Sequence, residues 1–291
     1  MKFEMKNRLK PCAALSAAII VVALVLTVMG MGMNLGIDFT GGTLMTYNMG
    51  AEFAVDDVKA ALADCGVTDA QIAKTGEENT QVQIRIKDVE NTDDLRTQLE
   101  EKLAASYPGI EYVDITRVGA VVGSELISNA IKSLTLAAVL MLCYIAVRFD
   151  LYSGIAAVIG LCHDIAIMLS FVVILSSFIR VETTFIAALL TIVGYSINNT
   201  IIIFDRIREN SHKVGVRQLP REQIVNISVT ECLPRTLNTT ITTLLTIVTL
   251  YILGVDSIKQ FALPLIIGIV AGTLNLPHPH FLPSELRRLH I

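Results

Sequence analysis

Five long stretches of the chain run almost without charge: Cys12–Met33, Ala130–Val147, Leu151–Ile174, Thr183–Phe204 and Thr236–Leu253. Each is close to or above the roughly 20 residues that cross a bilayer as a helix. A sixth run starts near Phe261 and is interrupted by Pro277. The pattern predicts a polytopic α-helical membrane protein with six transmembrane spans. The first run is longer than the roughly 7–15 apolar residues of a cleaved signal, so it reads as a retained anchor.

Between the first and second runs the period changes. "TLMTYNM" (43–49) alternates like a strand, and "VDDVKAALADC" (55–65) places Val55, Val58, Ala61 and Leu62 at helical spacing. "DAQIAKT" (69–75) and "TQVQIRI" (80–86) read as strands. "NTDDLRTQLEEKLAASY" (91–107) repeats Leu95, Leu99 and Leu103, and "IEYVDITRVG" (110–119) alternates again. The order β-α-β-β-α-β is the split βαβ pattern of an α+β ferredoxin-like domain. The expected organisation is a cytoplasmic N-terminus with span one (1–33), an extracytoplasmic ferredoxin-like domain (34–128), spans two to six (129–276) with a cytoplasmic loop over 205–234, and an atypical tail (277–291).

Composition fits this division. The chain is 53% hydrophobic and 17% charged, with mean hydropathy +0.59. Residues 34–128 have 17 acidic and 7 basic side chains, net −10, and the remainder is net +6. An acidic domain does not favour nucleic acid. Lys2, Lys6, Arg8 and Lys10, then Arg206, Arg208, Lys213, Arg217 and Arg221, then Arg287 and Arg288 lie on one side; the opposite short loops have Arg180 and Lys259. The positive-inside rule puts both termini and 205–234 in the cytoplasm. Of five cysteines only Cys65 lies in 34–128, which excludes an internal disulfide there. No zinc spacing occurs, and no metal or other cofactor is expected.

The candidate chemistry is polar residues inside apolar runs. Span four places Thr184, Thr191, Tyr195 and Asn199 on one face, with Asn198 beside them. Span five has Arg235, Thr239, Thr242, Thr246 and Thr249, with Asn238 nearby. Antiparallel packing would set Asn199, Thr239 and Arg235 at similar depth. For the threonines interhelical hydrogen bonding suffices; Arg235 reads either as a snorkelling end residue or as functional, and Asn199 as packing or function. Asp205 is one candidate partner for Arg235. His163 and Asp164 in span three read as a hydrogen-bonded pair or a proton relay, being adjacent and too few for a metal site. No arrangement of nucleophile, base and orienting group supports an enzyme. "GIDFTGGT" (36–43), with Asp38, Phe39, Thr40, Gly41 and Gly42, reads as a turn leaving the anchor. It opens into a strand and so does not read as a phosphate loop. Gly268 and Gly272 form a GxxxG contact motif.

"GIDFTGGT", "VGAVVGSEL", "LCHD", "GYSINNTIIIFDRIREN" and "PRTLNTTITTLLT" resemble, in order, the SecF branch of the SecD/SecF protein-translocase family. The resemblance covers roughly residues 15–273. It implies a membrane part similar to half of an RND-type transporter. It also implies an accessory subunit that works with SecD beside the SecYEG channel to move preproteins at the expense of an ion gradient. Arg235 and Thr239 match family positions placed in the proton path. Asn199 stands where the family usually has aspartate, and an amide does not titrate in this range. The alternative is a half-size RND-like exporter of lipid or small molecules; the small size of the outside domain argues against it. The tail "NLPHPHFLPSELRRLHI", with Pro277, Pro279, Pro283, His278 and His280, departs from the family and is not expected to form a membrane helix.

Overall fold

The computed structural model describes residues 5–76, 79–87, 92–149 and 151–274. The tail 277–291 lies outside the described residues. The chain divides into two compact units, residues 35–130 and the remainder.

The smaller unit holds one short helix, two longer ones and a sheet. Its elements follow α1 (Met5–Val28) of the other unit: α2 (Ile37–Thr40), β1 (Gly42–Asn48), α3 (Val55–Asp64), β2 (Gln71–Thr75), β3 (Gln81–Ile86), α4 (Thr92–Ser106) and β4 (Glu111–Val118). The four strands lie in the order β2-β3-β1-β4, and every neighbouring pair is antiparallel. Met45 pairs with Ile84 and Tyr47 with Val82, so alternate residues of β1 and β3 share one face. That face buries Met45, Tyr47, Val82, Ile84 and Ile86 against Val58 and Leu62 of α3 and Leu95, Leu99 and Leu103 of α4. The helical leucines fall at the expected spacing because i and i+4 share a helix face. β4 is the exception. Tyr112 and Val113 are both exposed, and the strand contributes only partly buried Ile115 to the core. A register shift in its pairing with β1 between Thr46 and Tyr47 marks the irregular edge.

The larger unit is helical. It contains α1, the second half of α5 (Ala120–Arg148), α6 (Leu151–Ile174), α7 (Thr183–His212), α8 (Arg221–Leu253) and α9 (Asp256–Leu274). Five of these, α1 and α5 to α8, are long and apolar enough to cross a membrane; α9 has a shorter apolar stretch, Ser257–Thr273. α6 packs against α1, α7 and α9, and α7 and α8 pack against each other and against α9. Gly268 permits the closest approach: a Cβ there would lie 2.1 Å from Ile192 Cδ1 of α7.

Several boundaries differ from the hydropathy pattern. α1 ends at Val28, five residues before the apolar run does, and Gly30 turns the chain with φ 85°. More consequential, 205–234 is not a loop. α7 continues through Asp205–His212, and α8 begins at Arg221, so the connection is confined to 213–220. At 1.5 Å per residue, helices of 30 and 33 residues measure about 45 and 50 Å, longer than the roughly 30 Å hydrocarbon core. The excess carries charge and is pinned by side chains. Arg206 Nε reaches Glu231 Oε2 at 2.6 Å, Asn210 Nδ2 donates to Ser228 Oγ at 3.0 Å and to Glu231 at 2.8 Å, and Lys213 pairs with Glu209. α8 runs through Pro234, two residues before the apolar run at Thr236 begins. Membrane helices tolerate an internal proline when neighbours re-satisfy the backbone.

Candidate functional site

Two groups of residues stand out, one in each unit. In the smaller unit the Gly-rich stretch is a single helical turn followed by two glycines of positive φ, Gly41 at 70° and Gly42 at 121°. Gly41 N–H donates to the Ile37 carbonyl at 2.8 Å, and Thr40 Oγ1 donates to the Gly36 carbonyl at 3.1 Å. Gly42 passes so close to β3 that a Cβ would lie 2.5 Å from the Ile86 carbonyl oxygen. Only glycine fits both demands there. The second Gly-punctuated stretch meets the first: a Cβ on Gly123 of α5 would lie 2.7 Å from the Phe39 carbonyl oxygen. Asp38 lies in the first turn of α2 and is half-buried.

In the larger unit the described buried polar residues come from α6, α7 and α8, and half-buried Thr273 of α9 joins them. On α6, Asp164 is 5% exposed. Ser196 Oγ of α7 donates to its Oδ2 at 2.6 Å. His163 Nδ1 stands 3.6 Å from Asp164 Oδ1, too far for the hydrogen bond that the sequence suggested between the two. On α7, the Tyr195 hydroxyl donates to Thr240 Oγ1 of α8 at 2.8 Å. Thr240 in turn contacts Thr273 Oγ1 of α9 at 3.1 Å. Gly272, next to Thr273, opens space beside Asp164: a Cβ there would sit 3.6 Å from Oδ2, an ordinary contact.

Asn199 is 3% exposed, and neither atom of its amide has a hydrogen-bond partner; Thr236 Oγ1, in a residue 2% exposed, is in the same condition. The cluster expected around Asn199 is therefore only partly assembled. Tyr195 points inward as expected, but to Thr240. Asn198, Asn238 and Arg235 are exposed, and Thr239 is half-buried with its hydroxyl donating to the Arg235 carbonyl at 2.9 Å. No described hydrogen bond joins Asn199 to Thr239 or Arg235. Asp205, one expected partner of Arg235, is paired with Arg148 at 3.3 Å. Thr242, Thr246 and Thr249 are exposed and bond to carbonyls one turn back. Thr184 and Thr191 of α7 are exposed as well.

The sequence reading missed Ser196, Thr236, Thr240 and Thr273. The signal for two of them, Thr236 and Thr240, lies one residue from the Arg235–Thr239 stripe. α8 carries two threonine rows, one through Arg235 and Thr239 and one through Thr236 and Thr240. They lie about 100° apart on the helix, and the second faces the chain's own bundle.

Comparison with known proteins gives a consistent picture. Residues 98–276 match the family described as protein export membrane protein SecD/SecF, C-terminal, and residues 28–49 match the SecD/SecF GG motif. The protein translocase subunit SecF of Thermobaculum terrenum is 34% identical over 259 residues, which cover 84% of this chain and 81% of that one. That of Sebaldella termitidis is 37% identical, covering 84% and 79%. The crystal structure of SecDF, a translocon-associated membrane protein from Thermus thermophilus, superposes with a TM-score of 0.81 at 33% identity. It covers 95% of this chain, and this chain spans 37% of that longer one.

Proposed function

The chain belongs to the SecD/SecF family of protein export membrane proteins, and from that premise we propose that it is the SecF-type accessory subunit of the Sec protein translocase. It works with SecD to support ion-gradient-driven export of preproteins through the SecYEG channel. It is a multi-pass membrane protein of the cell (inner) membrane, with both termini in the cytoplasm and residues 34–128 outside.

The observation that carries this reading past family membership is the outward row on α8. Arg235, Thr242, Thr246 and Thr249 face away from the chain's own bundle, among exposed Leu237, Ile241 and Leu245. An arginine on a membrane helix is costly unless it finds a counter-charge, water or the interface. A second membrane subunit laid on this face supplies polar partners for the whole row at once. α9 serves as the sixth span. Its 19 residues measure about 28 Å, near the hydrocarbon thickness, and it is packed among three other helices instead of facing lipid alone. The smaller unit is a ferredoxin-like domain, a reading supported by β3 lying between β1 and β2 in the sheet.

The test is recovery of SecD and SecYEG with the tagged chain from detergent-solubilised membranes, together with preprotein export by the same membranes. SecD is expected to co-purify. Arg235→Leu should lower both its recovery and export while the chain stays at normal abundance. Undiminished recovery and export in that variant would sink the assignment of this face.

A further inference from the structure

The buried polar side chains of the helical unit form a ladder. Ser228, Cys232, Thr236 and Thr240 follow one another at i, i+4 on the buried face of α8. Across from them on α7, Asn210 bonds Ser228 at 3.0 Å, the Ile202 carbonyl lies 3.7 Å from Cys232 Sγ, and Tyr195 bonds Thr240 at 2.8 Å. In this antiparallel register Asn199 falls opposite Thr236. They form the rung between the last two, and on that rung no amide or hydroxyl atom is satisfied. Ser196, beside Tyr195, then leads to Asp164 on α6 at 2.6 Å. The ladder begins at the charged cluster of Arg206, Glu209 and Glu231 and ends at a carboxyl group in the middle of a 24-residue apolar helix.

We propose that Asp164 is a proton-binding site inside the bundle, reached from the Arg206–Glu231 end along this ladder and separate from the outward Arg235 row. The inference rests on the larger unit being embedded in the membrane. It does not need the translocase role. An ionisable group at such depth marks a proton or ion site by default. The partner it has here suits both of its states. A serine hydroxyl donates to a carboxylate and accepts from a carboxylic acid. When a proton adds to Asp164, the new O–H donates and Ser196 Oγ changes from donor to acceptor, so the contact is kept in both states. The unsatisfied Asn199–Thr236 rung is the gap that a buried water would bridge, since such waters typically take about three partners. Asn199 is neutral and cannot hold the proton, which leaves Asp164 to do so.

The neighbours of Asp164 fit this role. On α6, His163 stands 3.6 Å from Oδ1. α7 brings Ser196 and the Tyr195 phenol, and its first charged residues, Asp205 and Arg206, lie beyond Phe204. α9 brings Gly272 and Thr273 and has no charged residue from Gln260 to Leu274; between Pro11 and Val28 of α1 the one titratable side chain is Cys12. α5 contributes Cys143 and Tyr144 and, at its end, Arg148, which is engaged with Asp205.

The test is pH-difference infrared spectroscopy of the purified full chain in lipid vesicles. A titrating C=O stretch of a protonated carboxyl in a dry site should be present in the wild type and absent from Asp164→Asn. Ser196→Ala retains the carboxyl but removes its partner, and it should move both the band's frequency and its midpoint; it also serves if Asp164→Asn does not fold. The inference is overturned if the wild type and Asp164→Asn give the same difference spectrum, or if Ser196→Ala leaves the band unmoved. A wild-type chain that shows the band yet does not support preprotein export would overturn the translocase reading and leave this site in place.

Discussion

The two units of this protein are built inside out with respect to each other. In the smaller one the interior is Met45, Tyr47, Val82, Ile84, Leu99 and Leu103, and charge lies mostly on the surface, with Arg85 the buried exception among the described residues. In the larger one the surface is apolar: Leu136, Leu140, Leu245 and Leu253 are exposed, and the interior holds Asp164, Ser196, Asn199, Asn210, Ser228, Thr236 and Thr240. Water drives apolar groups together in the first case. Hydrocarbon gives no such drive between helices, so small residues and interhelical hydrogen bonds take over. Gly268 against Ile192 and Tyr195 against Thr240 are the counterparts of a leucine core.

The comparison predicts unequal costs. The largest loss should come from Leu99→Ala in the smaller unit, where the side chain is fully buried. Leu→Ala substitutions in such sites cost about 2–5 kcal/mol. Denaturant unfolding of a soluble fragment of residues 35–118 measures this, with mixed α/β circular dichroism expected for the parent fragment. A cost well under 1 kcal/mol would mean that α4 is not held by this core. Alkali probes the same interior. Burial holds the Tyr47 phenol well above the ordinary tyrosine value, with Glu100 adding to the effect. Because the folded value is raised, the associated stability is complete below a pH of about 10 and is lost as pH climbs beyond it. Tyrosinate absorbance from Tyr47 should therefore appear only together with unfolding.

Next in size is Gly42→Ala. The new methyl group would meet the Ile86 carbonyl at 2.5 Å, on a backbone at φ 121°. Strain of this kind costs about 1–3 kcal/mol. The same fragment serves, and an unchanged midpoint would show that the double glycine answers to something other than local geometry.

The helical unit should give smaller numbers. Thr240→Val removes the link between Tyr195 and Thr273. Interhelical bonds in membranes average about 0.6 kcal/mol and reach about 1.7. Thr242→Val, on the outward row of the same helix, loses only a bond to its own turn and should stay within about 0.5 kcal/mol. Steric-trap or detergent unfolding of the purified chain ranks the two. The reverse ranking would mean that the two faces of α8 have been exchanged.

These contrasts explain what the sequence revealed. In water, burial selects side chains by polarity, so Leu95, Leu99 and Leu103 and the alternation of β1 and β3 could be read directly. β4 could not, because its Tyr112 and Val113 are apolar yet exposed. In the membrane both faces of a helix are apolar, and a threonine that bonds its own carbonyl is at home on either. That is why Arg235 and Thr239 looked like the interior row and Thr236 and Thr240 did not. The charged ends of α7 and α8 were read as a loop, since hydropathy marks where lipid stops and not where the helix does. Glu231 paired to Arg206 and Asn210 to Ser228 carry the helices onward.

Asn199 should show the smallest effect on stability of all. The Asn199 amide has no protein partner, and a water on its rung returns only part of the roughly 1–3 kcal/mol that its desolvation costs. Leucine has nearly the same bulk and no such debt. Asn199→Leu is therefore expected to leave the helical unit within about 0.5 kcal/mol of the parent or slightly more stable. Asn199→Asp places a titratable carboxyl group at this position. It should make the bundle's stability depend on pH, because a carboxylate placed there must find a partner among groups that give Asn199 none. The pair separates packing from chemistry. If Asn199→Leu costs 2 kcal/mol or more, the amide has partners in the membrane, and water on the Asn199–Thr236 rung is the first to look for. If it costs nothing and export persists, the hydrogen-bonding capacity of the Asn199 amide is not used, and Asp164 is left as the buried carboxyl of this interior.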